Sequence, residues 1–155
     1  MRQILVLIAA AGSAALLLGA LAFQYLGGLY PCPYCLLQRW PHLAAVLIGL
    51  VALRVKGWLL PVLGAGAALT TAAIGLFHTG VERGWVEGSS SCTSAGMEGL
   101  SAADLVERLK NAPLASCDQV AWEMFGLSMA SWNALLSLVL VAVWIMAARQ
   151  SRSAL

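Results

Sequence analysis

Charged residues are scarce in this chain of 155 residues: 10% are Asp, Glu, Lys or Arg, whereas 61% are hydrophobic. Soluble globular domains carry about 25% charged residues, so this composition excludes that class. The few charges that are present, nine basic and seven acidic, give a net charge of only +2. We therefore expect a lipid bilayer around the chain and no nucleic-acid partner.

Signatures of common redox cofactors are also absent. The chain has four cysteines, Cys32, Cys35, Cys92 and Cys117, and no Gly-x-Gly-x-x-Gly fingerprint of a dinucleotide or flavin site. Leu36 follows the Cys-x-x-Cys pair, where attachment of a c-type haem requires His. Because the other two cysteines form no second Cys-x-x-Cys pair, a tetrahedral zinc site is disfavoured and we expect no metal.

Four long apolar segments are present, and they dominate the sequence. A helix needs roughly 20 mostly apolar residues to cross the hydrocarbon of a bilayer. The second segment begins with Gln38, Arg39, Pro41 and His42, so we expect its first two turns at the membrane interface. The sequence predicts an all-α membrane protein, a four-transmembrane-helix bundle in a single domain over 1–155, with spans at about 4–26, 36–55, 59–79 and 128–147.

The first span is expected to remain in the mature protein. Arg2 precedes it and Ala20-Leu21-Ala22 offers an A-x-A pattern, as in a signal peptide. Its apolar run is longer than the roughly 7–15 residues of a signal h-region, however. An uncleaved membrane helix is the better interpretation.

The distribution of charge predicts the orientation, since short cytoplasmic loops carry the excess of Lys and Arg. All seven acidic residues fall on one side of the predicted bundle, together with Arg39, Arg83, Arg108 and Lys110. The other side has only basic residues, namely Arg2, Arg54, Lys56, Arg149 and Arg152. Both termini are therefore predicted to be cytoplasmic, with all four cysteines facing the periplasm of a bacterial inner membrane.

The longest polar stretch, about 80–127, is predicted to be a periplasmic loop. Within it, Ser101 is a candidate N-cap and Asp104 completes a capping box. Leu105, Val106 and Leu109 fall on one face of the helix that follows. The sequence thus predicts a short amphipathic helix that lies on the membrane surface.

Cys32-Pro33-Tyr34-Cys35 stands between the first two spans and is the main clue to function. Such a pair closes a small disulfide ring, so it takes up and releases two electrons with little backbone movement. A helix that starts near Pro33 would favour a Cys35 thiolate, and Arg39 adds a positive charge on the same face. Gln38 is a further hydrogen-bond donor. This pattern favours electron transfer to a lipid-soluble quinone, although Arg39 could simply anchor the interface.

Two other groups on the same side are candidates for the same chemistry. A Cys92–Cys117 bridge in the polar loop either ties the loop down or exchanges with an incoming thiolate, and the nearby dithiol favours exchange. His78 ends the third span, where it could hydrogen-bond a quinone carbonyl or pass protons, or could be only an interfacial histidine. Glu82, four residues later, could orient His78 or remain a solvated charge.

The residues as a set resemble the disulfide bond formation protein B family. The resemblance rests on four spans, Cys-x-x-Cys after the first of them, Gln38-Arg39 and two cysteines in a later loop. It is strengthened by Cys117-Asp118 and by the run from Trp122 through Phe125-Gly126-Leu127 to Trp132. His78 lies in a Phe-His-x-Gly-x-Glu context that resembles one branch of the family. The similarity covers nearly the whole chain.

This resemblance implies a thiol:quinone oxidoreductase that reoxidises a soluble periplasmic DsbA-like thioredoxin-fold protein. By analogy, Cys92 forms the mixed disulfide with that partner and Cys117 exchanges with Cys32. Cys35 would then be the thiolate at the quinone, with Arg39, Gln38 and His78 as the residues around it. The implied disulfides are Cys32–Cys35 and Cys92–Cys117, and the implied cofactor is ubiquinone or menaquinone.

Two other functions fit the sequence. One is a membrane reductant that carries electrons outward, although such carriers pass electrons through cysteines buried in the bilayer and none is expected there. The other is a non-catalytic membrane subunit whose cysteines form structural bridges. That subunit would keep all four cysteines oxidised whatever the supply of quinone.

Overall fold

Four long helices form the protein, as a computed structural model that describes residues 1–88, 101 and 115–152 establishes. They are α1 (Arg2–Tyr25), α2 (Pro33–Arg54), α3 (Leu59–Glu82) and α4 (Met129–Arg152). Each is long and apolar enough to cross a bilayer, which makes the chain a multi-pass membrane protein. The prediction of an all-helical, four-span bundle is confirmed.

The helices pack as a closed ring in which each contacts two neighbours. The principal contacts join α1 to α2, α2 to α3, α3 to α4, and α4 back to α1. The centre is built mostly from small side chains around Trp144, which is fully buried. Small residues let helix backbones approach closely, and in lipid such packing is a main source of association. Large apolar side chains such as Leu7, Leu47 and Leu69 are exposed on the outside, where lipid is expected.

Basic residues tie the helices together at the end that carries both chain termini. The Arg2 guanidinium donates to Ser151 Oγ at 2.9 Å and to the carbonyl of Val55, also at 2.9 Å. The Arg152 guanidinium lies 4.4 Å from the centre of the Trp58 ring. These contacts connect α1, α4 and the turn between α2 and α3. The cysteines of the Cys-x-x-Cys pair lie at the opposite end.

A two-residue hairpin precedes α4 and was not predicted from the sequence. Its strands are β1 (Glu123–Met124) and β2 (Leu127–Ser128), paired antiparallel so that Glu123 faces Ser128. Phe125 and Gly126 turn the chain with φ of 55° and 74°, the two positive values of a type I′ turn. Of the two residues, only the glycine adopts a positive φ without strain. Because the sequence is Phe-Gly and lacks the usual Asn-Gly, the turn is not recognisable from the sequence.

The hairpin is fixed to the bundle by two side chains. The Arg83 guanidinium donates to the carbonyl of Gly126 at 2.8 Å, and Trp132 Nε1 donates to the carbonyl of Met124 at 3.1 Å. The segment after Cys117 is thereby held against the ends of α3 and α4. The predicted amphipathic helix, with Asp104, lies outside the described residues.

Candidate active site

Cys32 is the N-cap of α2. Its backbone is extended, with φ −77° and ψ 164°, and Pro33 follows in the first turn, where a missing N–H costs no helical hydrogen bond. The backbone N–H of Cys35 donates to Cys32 Sγ at 3.1 Å. This N–H at the start of the helix therefore hydrogen-bonds to the Cys32 sulfur, whereas the sequence predicts that the helix N-terminus favours a Cys35 thiolate.

The two cysteines of the motif are in contact as thiols. Cys32 Sγ donates a hydrogen bond to Cys35 Sγ, with the sulfurs 2.6 Å apart. This bond, together with burial, raises the pKa of the Cys32 thiol far above its usual range. Deprotonation of the Cys32 thiol is thus disfavoured while the two sulfurs lie in contact. Closing a disulfide between them needs only a small movement.

Cys117 packs beside the motif. It is fully buried, in one apolar cluster with Cys32 and Val81. Its backbone also hydrogen-bonds to His78. The chain therefore brings a third cysteine to Cys32, although the two are 85 positions apart in sequence. Cys92 lies outside the described residues, so its pairing with Cys117 stays a prediction.

His78 also lies beside Cys32. Its Nε2 is 3.5 Å from Cys32 Sγ and 3.8 Å from Glu82 Oε1. Glu82 is in turn held by a short hydrogen bond from the Ser128 hydroxyl at the end of the hairpin. His78 is a candidate site residue because of its position at the end of the third span, and it contacts Cys32 of the Cys-x-x-Cys motif.

Gln38 links His78 to the rest of the bundle. Its Nε2 donates to the carbonyl of Tyr34 at 3.0 Å and lies 3.3 Å from His78 Nδ1. Its Oε1 accepts from Asn133 Nδ2 on α4 at 2.6 Å. Every hydrogen-bonding atom of this buried amide therefore has a partner, as burial in an apolar bundle demands.

Asn133 extends the network to two further side chains. Its Nδ2 lies 3.2 Å from Thr71 Oγ1, and its Oδ1 lies 2.8 Å from His42 Nε2. The connected polar groups run from Cys32 through His78, Gln38 and Asn133 to His42. We define these five residues as the polar network. A lone Asn in the fourth span was the available signal for Asn133, because polar side chains inside membranes are usually functional.

Arg39 faces α1. Its Nη1 donates to Gln24 Oε1 at 2.6 Å and its Nη2 to the carbonyl of Ala20 at 3.5 Å. The Nε atom is buried and has no partner in the described part of the chain. No carboxylate neutralises Arg39 among the described residues. A positive charge thus remains available one helical turn from Cys35.

A mostly apolar cavity of about 420 Å³ adjoins these groups. Residues of all four helices line it, with His78 and Glu82 contributed by α3, together with residues of the segment 115–124 that leads into the hairpin. Cys35, Arg39, His42 and Asn133 are among its polar lining residues. The volume lies within the range of small-molecule sites, about 300–1,000 Å³. An apolar wall with a few convergent polar groups suits a flat, lipid-soluble ring.

The sulfurs of Cys32 and Cys35 and a ring nitrogen of His78 lie within 4.8 Å of one another. Thiolates and imidazoles are ligands that zinc prefers, and a fourth ligand would complete a closed structural site. The sequence predicts no metal here.

Comparison with known proteins identifies the family. The family model described as "Disulfide bond formation protein DsbB" matches residues 2–147. The chain belongs to the DsbB family. Family membership agrees with the resemblance seen in the sequence, and it makes the protein an oxidoreductase of disulfide bond formation in a membrane.

Relatives from other bacteria match most of the chain. "Disulfide bond formation protein B" of Verminephrobacter eiseniae is 33% identical over 97% of this chain and 90% of its own length. The protein of the same name from Methylococcus capsulatus is 33% identical, with 77% of each chain covered. An uncharacterized protein of Rickettsia prowazekii is 30% identical over 76% of this chain and 71% of its own. No solved structure matches the chain significantly.

Proposed function

We propose that the protein is a bacterial inner-membrane thiol:quinone oxidoreductase. It reoxidises a periplasmic DsbA-like protein of the thioredoxin fold and passes the electrons to ubiquinone or menaquinone. The observation that carries this proposal is the position of the Cys32–Cys35 pair, which lies in contact with a buried third cysteine and lines an apolar cavity. The pair thus adjoins both a third cysteine and a space for a ring.

Electrons enter through the loop cysteines. The reduced partner attacks a Cys92–Cys117 disulfide at Cys92, and resolution of the mixed disulfide leaves two thiols on this chain and a disulfide in the partner. Cys117 then attacks a Cys32–Cys35 disulfide at Cys32 and releases the Cys35 thiolate. The Cys92 thiol attacks Cys117 of the resulting Cys32–Cys117 disulfide, which reforms Cys92–Cys117 and leaves both motif cysteines reduced. The packing of Cys117 against Cys32 supports this exchange.

Electrons leave from the motif. Oxidation of Cys32 and Cys35 to a disulfide releases two electrons and two protons. A bound quinone would accept both the electrons and the protons. Cys35 lines the cavity, as Cys32 does, and the hydrogen bond from Cys32 stabilises negative charge on the Cys35 sulfur. Arg39, held against Gln24, adds a fixed positive charge to the same cavity.

The residues present fit a quinone headgroup. Its carbonyl oxygens only accept hydrogen bonds, and Arg39 has a buried Nε donor without a partner among the described residues. A quinone also explains the direction of flow, since a DsbA-type partner has a potential of about −120 mV and ordinary thiol couples cannot reoxidise it. The residues proposed to surround the quinone are Cys35, Arg39, Gln38 and His78.

The distribution of charge supports the orientation that the function needs. The end that carries Arg2 and Arg152 has the excess of basic residues typical of a cytoplasmic side, which supports the proposal that both termini are cytoplasmic. The motif then faces the oxidising periplasm, where the partner operates.

Turnover by purified protein tests this function. The protein in detergent is mixed with a reduced thioredoxin-fold oxidase and a short-chain ubiquinone or menaquinone, and quinone absorbance is followed. We expect turnover by the intact protein and none by Cys35→Ala or Cys92→Ala. Cys35→Ala should still form a mixed disulfide with the partner at Cys92. Quinone reduction at a normal rate by either variant would refute the proposed roles.

A further inference from the structure

A backbone carbonyl determines how the side-chain amides of the polar network are oriented. The carbonyl oxygen of Tyr34 can only accept, so the Gln38 atom that lies 3.0 Å from it must be the NH₂ group. Gln38 Oε1 therefore faces Asn133 and accepts from its Nδ2. This leaves Asn133 Oδ1 to face His42, where it can only accept. The whole chain of amides has one consistent orientation.

The orientation of Asn133 sets the tautomer of His42. Because Asn133 Oδ1 accepts, His42 Nε2 must carry the hydrogen of their 2.8 Å bond. The cost of placing an unpaired charge in an apolar bundle favours a neutral ring. In a neutral ring with hydrogen on Nε2, the other nitrogen, Nδ1, holds a bare lone pair. His42 is thus an acceptor at Nδ1.

That acceptor is buried and has no partner in the described structure. His42 is 3% exposed, and its Nδ1 has no hydrogen-bond donor among the residues described. The residue nevertheless lines the 420 Å³ cavity together with Arg39. A buried acceptor left without a donor costs about 1–3 kcal/mol, so a ligand that brings a donor to this position gains affinity.

We propose that His42 Nδ1 accepts a hydrogen bond from a hydroxyl of a hydroquinone, so that the cavity binds the reduced form more tightly than the quinone. This inference rests on the proposed function and adds a residue and a redox preference to it. A quinone offers only carbonyl acceptors and leaves Nδ1 unpaired, whereas a hydroquinone offers two O–H donors.

The preference has a consequence for electron flow. The two electrons and two protons released by Cys32 and Cys35 reduce the quinone to a hydroquinone, and His42 is itself neither oxidised nor reduced. Tighter binding of the hydroquinone favours this transfer at the site. A matching cost is slower release of the product.

Binding measured without turnover tests the proposal. Both motif cysteines are replaced, Cys32→Ala and Cys35→Ala, so that no electrons move during the titration. Affinities for a short-chain ubiquinone and for its hydroquinone are then measured anaerobically. With His42 present, we expect the hydroquinone to bind about two- to tenfold more tightly, the range for one neutral hydrogen bond.

His42→Leu in the same background should abolish the preference and change quinone affinity by less than about twofold. Thr71→Val is the matched control, since it removes a hydroxyl from the bonds around Asn133 and leaves His42 Nδ1 in place. It should keep the preference. The proposal would be overturned if His42→Leu still bound the hydroquinone more tightly than the quinone, or if it lost affinity for both by the same factor.

A second measurement leaves His42 unchanged. The dimethyl ether of the hydroquinone has the same ring but no O–H donor, so it should bind no more tightly than the quinone. If the ether binds as tightly as the hydroquinone, the proposal is wrong. Failure of both quinone and hydroquinone to bind would refute the proposed function and this inference together, whereas equal binding of the two would refute only the inference.

Discussion

Asn133 on α4 donates a hydrogen bond to Gln38 on α2, with Nδ2 and Oε1 2.6 Å apart. The bond crosses the bundle and joins the helix of the redox motif to the helix that follows the hairpin. Gln38 in turn meets His78, which lies 3.5 Å from Cys32. The position of the histidine beside the motif therefore depends on an amide in a helix that contributes no cysteine.

Asn133→Leu should destabilise the bundle and disturb the motif. It removes hydrogen bonds to Gln38, Thr71 and His42 and leaves buried partners unsatisfied. Single interhelical bonds in membranes average about 0.6 kcal/mol, so we expect a loss of about 2 kcal/mol, measured by thermal unfolding in detergent. Ser137→Ala on the same helix is the control. Ser137 Oγ is buried without a partner among the described residues, and its loss should change stability by less than about 0.5 kcal/mol. Equal effects of the two substitutions would contradict the importance of the network.

Gly64→Ala should destabilise the protein, whereas Gly66→Ala should not. A Cβ at Gly64 would lie 2.7 Å from the Trp144 ring, while one at Gly66 meets nothing within 4 Å. Overpacking costs about 1–3 kcal/mol, and an exposed helical Ala gains up to about 1 kcal/mol over Gly. Thermal unfolding of the pair provides the measurement. A Gly64→Ala protein as stable as Gly66→Ala would show that α3 and α4 do not pack in this way.

Arg39→Gln should weaken quinone binding without affecting exchange with the protein partner. Hydrogen bonds to a charged group are worth about 1.5–3 kcal/mol, so we expect the KM for quinone to rise about ten- to a hundredfold. Mixed-disulfide formation at Cys92 should be unchanged. Arg39→Lys keeps the charge and loses the fork that meets Gln24 and Ala20, so an intermediate KM is expected. An unchanged KM in Arg39→Gln would assign the residue to anchoring alone.

Cys117→Ala should separate the two halves of the reaction. Quinone reduction driven by the protein partner should fall by at least about a hundredfold, because the thiol proposed to attack at Cys32 is removed. Quinone reduction driven by dithiothreitol, which reduces Cys32–Cys35 directly, should stay within about threefold of the intact protein. Equal losses with both reductants would indicate that Cys117 supports the motif structurally.

Reporter fusions test the orientation of the bundle. A fluorescent protein that matures only in the cytoplasm should be bright after Arg152, and alkaline phosphatase should be inactive there. Alkaline phosphatase fused after Gly88 should be active, because Gly88 follows α3 at the end of the bundle that carries Cys32 and Cys35. The opposite pattern would place the motif in the cytoplasm and contradict the proposed compartment.

Apolar length was sufficient to predict the four helices, because each span must satisfy its backbone internally. Polarity within α2 was harder to interpret. In the sequence, the polar residues Gln38 and His42 suggest that the first turns of α2 lie at the membrane interface. In the structure both side chains are buried and face the other helices. A sequence does not separate a polar residue at the membrane surface from one that faces the interior of a bundle.

Spacing in the sequence was sufficient to identify the motif cysteines, Arg39 and His78 as candidate site residues. It did not reveal the hydrogen-bond partners around them. Asn133 is 95 positions from Gln38, and Ser128 is 46 positions from Glu82. Such pairings depend on the closed ring of helices and on the hairpin. The Phe125-Gly126 turn lacks the usual turn residues and gave no local signal. His42 became interpretable only when its hydrogen bond to Asn133 was known.

The most direct test of the central claim is a single turnover without any protein partner. The protein with Cys32 and Cys35 reduced is mixed anaerobically with one equivalent of short-chain ubiquinone, and both quinone absorbance and the alkylation of the two cysteines are followed. We predict that one quinone is reduced for each pair of thiols lost, and that Cys35→Ala shows neither change. If both cysteines remain alkylatable while quinone is in contact with them, the dithiol does not reduce quinone and the proposed function is wrong.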